Sequence, residues 1–433
     1  MTAPSTLSPA VNRTTRAMAA GRDAGWLLLG NAVGAATQWA VIVMLARLGG
    51  PEIVGRYAIG LAVSAPLILL TGLALRTVQV TDQTSRYEFG DYLRLRLAGA
   101  AAALCGIAAV AMAFDAGAAA VVVLVGAARA LDAVGDIFCG LFQRHRRMRE
   151  IAVSMAVNGV ATLVAMAALL YLTGSVVWAV LGSVAASALA TLGYCVPASR
   201  ILRAREARPA DRRPATRLST MVGLAGVALP LGLAGTVTSV AANLPRYVVE
   251  DQLGITALGI FAALGYVALG ANLFAGAASQ AILPRLTRMF ADGQIERLRV
   301  VSNRLVLSCV LLAVLAVPGT ALLGRPLLDL LYGAPYAEHV GILVILVPAV
   351  ALASATYFLD AALSATRSFG NQLAAALTVT AAALAAVFLI PAYGLAGAAW
   401  SVALPAIVQC GLKAALLRRV LRRHASWRSR GAA

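Results

Sequence analysis

Long apolar stretches recur along the whole chain and are separated by short polar or basic connections. A helix needs about 20 apolar residues to cross the roughly 30 Å hydrocarbon core of a bilayer, and twelve stretches reach that length. We number them spans 1 to 12, and they lie near residues 25–46, 57–79, 93–113, 117–141, 151–171, 176–199, 219–242, 256–282, 301–323, 339–363, 371–390 and 394–416. The pattern predicts an all-α integral membrane protein with about 12 transmembrane helices.

The composition supports the same class. Of the 433 residues, 61% are hydrophobic and only 12% are charged, and the mean hydropathy is +0.83, whereas soluble domains carry about 25% charged residues. The five cysteines are isolated within apolar runs, and the three histidines are far apart in the sequence. We therefore expect no metal site, no Ser/His/Asp triad and no cofactor.

Basic residues are distributed unevenly between the connections. The chain has 36 Lys and Arg against 18 Asp and Glu, a formal net charge of +18. With a cytoplasmic N-terminus, thirty basic residues fall on the cytoplasmic side and four on the outer side, as the positive-inside rule requires. We expect a multi-pass protein of the inner (plasma) membrane with both termini cytoplasmic. Nucleic acid is not an expected partner, because no aromatic residues are interleaved with the arginines for base stacking.

The connections also predict a domain organisation. The first 23 residues are polar, and the apolar run after them has no small-residue cleavage site, so span 1 is expected to be an uncleaved insertion signal. A basic connection with two prolines separates spans 6 and 7. The predicted parts are a cytoplasmic tail (1–23), an N-lobe of spans 1–6 (24–200), a basic cytoplasmic linker (201–218), a C-lobe of spans 7–12 (219–417) and a basic cytoplasmic tail (418–433).

The two halves share an internal repeat. The sequence LGGPEIVGRYAIGLAV at 48–63 follows span 1, and LGITALGIFAALGYV at 253–267 follows span 7. Both contain the pattern Gly-x-Tyr/Phe-Ala after an outer-side Leu-Gly. Since each half has six spans, the two lobes are predicted to have the same orientation and to be related by an axis along the membrane normal.

Polar side chains inside the spans fall on single helical faces. A charge at the bilayer centre costs about 2.5–3.5 kcal/mol on insertion scales, so such residues mark functional or paired positions. The aligned sets are Asn31, Gly34 and Gln38 in span 1; Arg76, Gln79 and Gln83 in span 2; Arg129, Asp132, Asp136 and Gln143 in span 4; Thr236, Ser239, Asn243 and Arg246 in span 7; Asn272 and Ser279 in span 8; and Tyr357, Asp360, Ser364 and Arg367 in span 10. Spans 1, 2 and 4 are the repeat partners of spans 7, 8 and 10, and the other six carry little interior polarity. The correspondence predicts a water-filled cavity between the lobes.

Individual members of these stripes have structural alternatives. Arg129 and Asp132, three residues apart, could form an ion pair that only locks two helices together. Arg76 lies close enough to the cytoplasmic end of its span to snorkel into the headgroup region, and Arg47 and Arg246 could anchor the outer ends. The sequence leaves these alternatives open.

Four segments resemble a known family. They are ARLGGPEIVGRYAIGLAV (46–63), LGITALGIFAALGYV (253–267), ALDAVGDIFCGLFQRHRRM (130–148) and IPAYGLAGAAWSVALP (390–405). They resemble the polysaccharide transport, or Wzx-type O-antigen flippase, family of the multidrug/oligosaccharidyl-lipid/polysaccharide exporter superfamily. The resemblance covers roughly residues 20–420 and is carried by glycine and small-residue patterns. It implies two six-helix lobes and the movement of a lipid-linked oligosaccharide to the outer leaflet by alternating access.

The implied substrate assigns roles to the polar residues. A polyprenyl diphosphate needs cationic partners, and arginine suits phosphate oxygens through paired N–H bonds. The phosphate-binding candidates are Arg76, Arg129, Arg246 and Arg47, and the sugar-binding candidates are Asn31, Gln38, Gln79, Asn243 and Tyr357. The carboxylates Asp132, Asp136 and Asp360 are either proton- or ion-coupling groups or counter-ions for Arg129 and Arg367. The implied partners are the lipid-linked glycan, the lipid bilayer and, as candidates, a glycan polymerase or glycosyltransferases.

Two other function classes compete with flipping. A cation-coupled drug or metabolite antiporter would have the same fold, and the intramembrane carboxylates keep that alternative open. A polyprenyl-dependent glycosyltransferase or polymerase is disfavoured, because such enzymes usually expose large outer loops. The longest outer connections here, about 324–338 and 243–255, offer few catalytic groups.

Overall fold

The fold is known from a computed structural model, which describes residues 9–82, 87–206, 218–366, 378 and 380–431. The helices are Pro9–Gly72, Leu75–Thr81, Phe89–Ala111, Ala116–Arg144, Met148–Thr173, Val176–Ala188, the π-helical turn Leu189–Cys195, Val196–Glu206, Leu218–Ala291, Ile295–Tyr332, Ala334–Ala337, Val340–Ala365 and Ala386–Gly431. The predicted all-α membrane fold is confirmed. Gln83, Arg367 and most of the predicted linker lie outside the described residues, as does the side chain of Asn272.

The long apolar helices of the structure can be assigned to the spans predicted from the hydrophobic pattern. Within the described ranges, nine helical stretches are long and apolar enough to cross a membrane. Three of them are broken inside by a glycine with positive φ, at Gly50, Gly254 and Gly394. Left-handed φ values cost glycine little, so the chain can change direction at one residue without a loop. Divided at these glycines, the stretches account for spans 1 to 10 and span 12, whereas the structure describes only residues 378 and 380–390 of span 11.

The outer connections are more helical than the sequence pattern predicts. The residues before Gly50 and Gly254 remain in helix until the break itself. The connection after span 9 is also helical, because that helix runs from Ile295 to Tyr332 and a further helical turn follows at Ala334–Ala337. The predicted loops at 243–255 and 324–338 are therefore mostly helix.

The structure shows the internal repeat directly. Gly50 and Gly254 both have positive φ. The sequence separation between them equals that between Gly55 and Gly259. A Cβ on Gly55 would overlap the carbonyl oxygen of Ile255, and a Cβ on Gly259 would overlap that of Pro51. Equivalent residues therefore meet each other at the start of spans 2 and 8, on the pseudo-twofold axis between the lobes.

Apolar packing differs between the two ends of the molecule. The largest buried cluster joins both lobes near the predicted outer ends, and it includes Tyr57 and Val121 from the N-lobe and Phe261, Leu328 and Leu343 from the C-lobe. Near the predicted inner ends each lobe has its own cluster. A small fourth cluster joins the inner end of span 7 to spans 2 to 4. The lobes are thus packed together at the predicted outer end and mostly separate at the inner end.

Candidate functional site

A cavity of about 700 Å³ lies between the lobes. Spans 2, 3 and 4 form its N-lobe wall, and spans 7 and 8 form its C-lobe wall. Its lining residues are Leu61, Ser64, Ala65, Ile68, Leu69, Gly72, Ala74, Arg76, Thr77, Arg96, Arg129, Asp132, Ala133, Asp136, Asn243, Arg246 and Tyr266. The predicted interlobe cavity is therefore present, and it combines an apolar wall with a cluster of charged side chains.

The charged residues of the lining give the cavity a positive sign. Four arginines and two aspartates belong to it, so their formal charges sum to a net charge of +2. Charges that face a cavity with low-dielectric walls act on a bound ion more strongly than the same charges in open water. The cavity is suited to an anionic ligand.

Arg76 links spans 2 and 4 at the inner part of the cavity. Its Nη1 donates to Asp136 Oδ1 at 2.6 Å, and its Nε and Nη2 donate to Gln143 Oε1 at 3.2 and 3.0 Å. Arg76 follows a break in span 2, where Leu73 and Ala74 have positive φ values of 51° and 48°. The side chain therefore crosses to span 4 instead of snorkelling to the headgroup region.

Arg129 lies farther out on span 4. It is seven residues before Asp136, about 10 Å along the helix axis at 1.5 Å per residue. Arg129 Nη1 is 3.6 Å from Asp132 Oδ2, so the ion pair that the sequence left as an alternative is formed. Asp132 is also held by the N-lobe interior, because Asn158 Nδ2 donates to its Oδ1 at 2.9 Å. Sequence reasoning missed Asn158, although Ser154, Asn158 and Thr162 are four residues apart on one face of span 5.

The C-lobe wall contributes Arg246 and its neighbours. Arg246 Nη1 donates to Asn243 Oδ1 at 2.9 Å, and Asn243 Nδ2 donates to the Ser239 carbonyl at 2.9 Å. Of the span 7 stripe, Asn243 and Arg246 line the cavity, whereas Thr236 and Ser239 are outside the lining. Gln38, on span 1, donates from Nε2 to the hydroxyl of Tyr266 on span 8 at 3.4 Å. That bond crosses the lobe interface beside the cavity.

Arg96 is a cavity residue that sequence reasoning missed. The positive-inside distribution places Arg96 on the cytoplasmic side, yet the residue is only 6% exposed and lines the cavity. One signal was present in the sequence, because Arg96 shares a helical face with Tyr92, Ala103 and Ile107, which are all fully buried. A basic residue on the apolar face of a span points into the protein, not toward the headgroups.

Four candidates from the N-lobe lie outside the cavity lining, namely Asn31, Gln38, Arg47 and Gln79. Asn31 is exposed on span 1. Gln79 is only 2% exposed and packs behind Arg76, where a Cβ on Gly140 would overlap its Oε1. The structure therefore places Gln79 in helix packing between spans 2 and 4.

Two candidates on span 10 lie elsewhere in the C-lobe. Tyr357 is 39% exposed and is absent from the cavity lining. Asp360 Oδ2 accepts from Lys413 Nζ at 2.7 Å, and the Lys413 side chain is 5% exposed. Span 12 thus supplies a buried cation that the sequence pattern did not indicate, and each of the three candidate coupling carboxylates has a basic partner.

Arg47 lies at the contact between the lobes on the predicted outer side. Its Nε donates to the carbonyl of Leu331 at 3.1 Å, and its Nη2 donates to the carbonyls of Asp329, at 2.8 Å, and Leu330. These carbonyls end the long helix of span 9, where a cation is favoured by the helix dipole. A second bond links the lobes at this end, from the Tyr247 hydroxyl to the carbonyl of Ala62. Arg47 therefore closes the outer end and does not line the cavity.

Metal ligands do not gather in the described parts of the chain, where His, Cys, Asp and Glu form no group of three or more. The chemistry that the cavity offers is thus the binding of an anion by guanidinium groups and of hydroxyls by amides. Nothing in its lining supplies a nucleophile with an adjacent base.

Comparisons with known proteins agree with this arrangement. Residues 20–290 match the family described as polysaccharide biosynthesis protein. The capsular polysaccharide biosynthesis protein CapF of Staphylococcus aureus is 24% identical over 393 residues, which cover 89% of this chain and 96% of that protein.

Two solved structures show the same fold. The match to the lipid II flippase MurJ, in an inward closed conformation, has a TM-score of 0.70 at 10% sequence identity. It covers 92% of this chain and 89% of the MurJ chain. The match to a multidrug resistance MATE family transporter of the MOP superfamily, in an inward-facing conformation, has a TM-score of 0.67 at 12% sequence identity. It covers 92% of this chain and 99% of the transporter chain. With a family match over more than half of its length and this transporter fold, the chain belongs to the polysaccharide biosynthesis protein family.

Proposed function

We propose that this protein flips a polyprenyl-diphosphate-linked oligosaccharide from the cytoplasmic to the outer leaflet by alternating access, as a step of surface polysaccharide biosynthesis. The observation that carries the proposal is the cavity between the lobes, with four arginines and two aspartates in its lining. A net charge of +2 balances the two negative charges of a diphosphate diester.

The arginine positions suit a ligand that moves. Arg76 and Arg96 lie on the inner part of the cavity wall, Arg129 lies about 10 Å farther out by helical rise, and Arg246 lies at the predicted outer end of span 7. A diphosphate crossing hydrocarbon alone would lose its hydration at a cost of tens of kcal/mol. Successive guanidinium groups replace the lost water with charge-assisted hydrogen bonds, while the polyprenyl tail stays in the lipid.

The two cavity aspartates keep the arginines in place between substrates. Asp136 pairs with Arg76 and Asp132 with Arg129. A buried guanidinium without a partner would be costly, so each carboxylate serves as a counter-ion that the diphosphate replaces. This supports the counter-ion alternative for Asp132 and Asp136 over a direct coupling role.

The contacts at the two ends favour loading from the predicted cytoplasmic side. Arg47 and Tyr247 join the lobes at the predicted outer end. At the inner ends each lobe has its own cluster, and only a small cluster joins span 7 to spans 2 to 4. Export then requires the outer contacts to break and the inner ends to approach each other. Both termini are cytoplasmic in this proposal, and the membrane is the inner (plasma) membrane.

Reconstitution tests the proposed activity. The purified full chain in liposomes should move a polyprenyl-diphosphate sugar across the bilayer, and a deletion strain should lose its surface glycan. If no polyprenyl-diphosphate sugar is moved and the deletion strain keeps its glycan, the proposal fails. Drug hypersensitivity of a strain with intact glycan would instead identify a drug antiporter.

A further inference from the structure

Arg96 is a buried cation whose guanidinium is incompletely paired. Its side chain is 6% exposed, and its Nε has no hydrogen-bond partner among the described residues. Native proteins rarely leave a buried charged donor unsatisfied, because the group forfeits its hydration without compensation. Nε itself is not accessible from the cavity, so the ligand expected for Arg96, which lines the cavity, would pair with the terminal nitrogens of its guanidinium.

The packing around Arg96 keeps its guanidinium in one place. A Cβ on Gly72 would overlap Nη1 of Arg96, and a Cβ on Gly99 would overlap the carbonyl oxygen of Thr71. Glycine at these two positions lets spans 2 and 3 approach closely, and the guanidinium lies against the last turn of span 2 before its break. A side chain held in this way loses little conformational entropy when it binds a ligand.

The inner part of the cavity contains more positive than negative charge. Asp136 lines the same cavity as Arg96, yet its salt bridge, at 2.6 Å, is made with Arg76. This part of the wall therefore has two guanidinium groups and one carboxylate. A ligand with two linked anionic groups could pair with Arg96 through one group and compete with Asp136 for Arg76 through the other.

We propose that Arg96 and Arg76 form a loading subsite for the diphosphate at the inner end of the cavity, and that Arg96 makes this subsite prefer a diphosphate to a monophosphate. The inference rests on the proposed function for its substrate class. It assigns the first contact in the cavity to spans 2 and 3, before the ligand reaches Arg129 and Arg246.

A binding experiment on the purified full chain tests the subsite. The probes are farnesyl diphosphate and farnesyl monophosphate, titrated calorimetrically, and the variant is Arg96→Met. Loss of one charge-assisted contact should weaken diphosphate binding about tenfold or more and leave monophosphate binding nearly unchanged. Arg94→Met is the matched control, because Arg94 is exposed on the same helix and its loss should change neither affinity.

Thermal unfolding without ligand separates binding from a structural role. Because the buried Arg96 charge is incompletely paired, Arg96→Met should unfold at the same temperature as the parent or higher. If a folded Arg96→Met keeps the parent's diphosphate preference, the subsite is overturned. Should Arg96→Met not fold, Arg96→Lys decides in its place, because it keeps the charge without the planar fork. A preserved diphosphate preference in Arg96→Lys would likewise overturn the subsite.

Transport measurements tell failure of the subsite from failure of the proposed function. Translocation by the parent together with unchanged farnesyl diphosphate binding by Arg96→Met overturns the subsite alone. Arg96-dependent diphosphate binding in a protein that moves no polyprenyl-diphosphate sugar overturns flipping and leaves the subsite standing.

Discussion

Gly55 and Gly259 lie against each other across the lobe interface, and they are equivalent residues of the two repeats. The backbone of each glycine faces the carbonyl of the residue four positions earlier in the opposite repeat, Ile255 or Pro51. The pseudo-twofold axis therefore passes between Gly55 and Gly259 at the predicted outer end. The close approach also makes that end of the interface intolerant of side chains.

Alanine at either glycine should therefore disturb the closed outer end. Overpacking of this kind typically costs about 1–3 kcal/mol, so Gly259→Ala should lower the melting temperature or favour a conformation with the outer end open. Gly265→Ala is the matched control on the same helix, because no atom lies within 4 Å of its Cβ position. Equal melting temperatures for the two variants would contradict the close approach.

Arg47 should stabilise the closed outer end through the carbonyls of span 9. Arg47→Ala removes the bonds to Asp329, Leu330 and Leu331 and should expose Tyr332, which is 2% exposed. In a background without the five native cysteines, a Tyr332→Cys probe should react several-fold faster with a membrane-impermeant thiol reagent.

The control for Arg47 is a second outer arginine. Arg56 pairs with Glu52 on its own helix at 2.7 Å, so Arg56→Ala should leave labelling of the Tyr332→Cys probe unchanged. Equal labelling in the Arg47→Ala and parent backgrounds would show that Arg47 does not hold the lobes together.

Arg129 should be needed for transport and not for folding. Its partner Asp132 keeps a bond from Asn158 when the arginine is removed, so Arg129→Ala should reach normal membrane abundance. A lost charge-assisted contact is worth about 1.5–3 kcal/mol, which predicts about 10- to 100-fold slower translocation in liposomes. Normal export by Arg129→Ala cells, or disappearance of the protein from the membrane, would leave Arg129 with only a structural role.

The pair of Asp360 and Lys413 distinguishes a structural from a coupling role. Asp360→Asn leaves the buried Lys413 without its carboxylate partner. The C-lobe should lose about 3 kcal/mol of stability or less, because the Asp360 side chain is 41% exposed. The double variant Asp360→Asn/Lys413→Met should recover most of that stability. If it folds and still does not transport, Asp360 takes part in coupling; recovered transport assigns the pair to stability.

The predicted topology has a direct test. A reporter fused after Leu172, in the connection between spans 5 and 6, should be on the outer side, and a fusion at the C-terminus should be cytoplasmic. Opposite locations would reverse the direction in which the cavity opens and with it the proposed direction of loading.

Local periodicity was sufficient for several of the site's features. Arg129 with Asp132 and Asn243 with Arg246 are three residues apart on single helices, so their proximity follows from helical geometry alone. The breaks at Gly50 and Gly254 were marked by the repeat. Arg76 of the span 2 stripe and Arg129, Asp132 and Asp136 of the span 4 stripe line the cavity, whereas Gln143 is outside the lining.

Other partnerships join distant residues and left no such signal. Arg76 and Asp136 are 60 residues apart, and Asp360 and Lys413 are 53 apart. The positive-inside distribution assigns Arg96 and Lys413 to the cytoplasmic side, and the face of span 5 that carries Ser154, Asn158 and Thr162 has no charged residue to mark it. Arg47 is equally compatible with anchoring, substrate contact or a helix-end contact until its neighbours are known.

The sequence by itself determined that this chain is a twelve-span membrane protein with two repeated halves and with polar faces on equivalent helices. Hydrophobic length and helical period are local properties, and the bilayer imposes them on each span separately. Only the tertiary structure decided which charges share the cavity, which are counter-ions and which join the lobes. Those assignments depend on how twelve apolar helices pack against one another, and in lipid that packing is decided by close backbone approach at small residues such as Gly55 and Gly259, which hydropathy does not record.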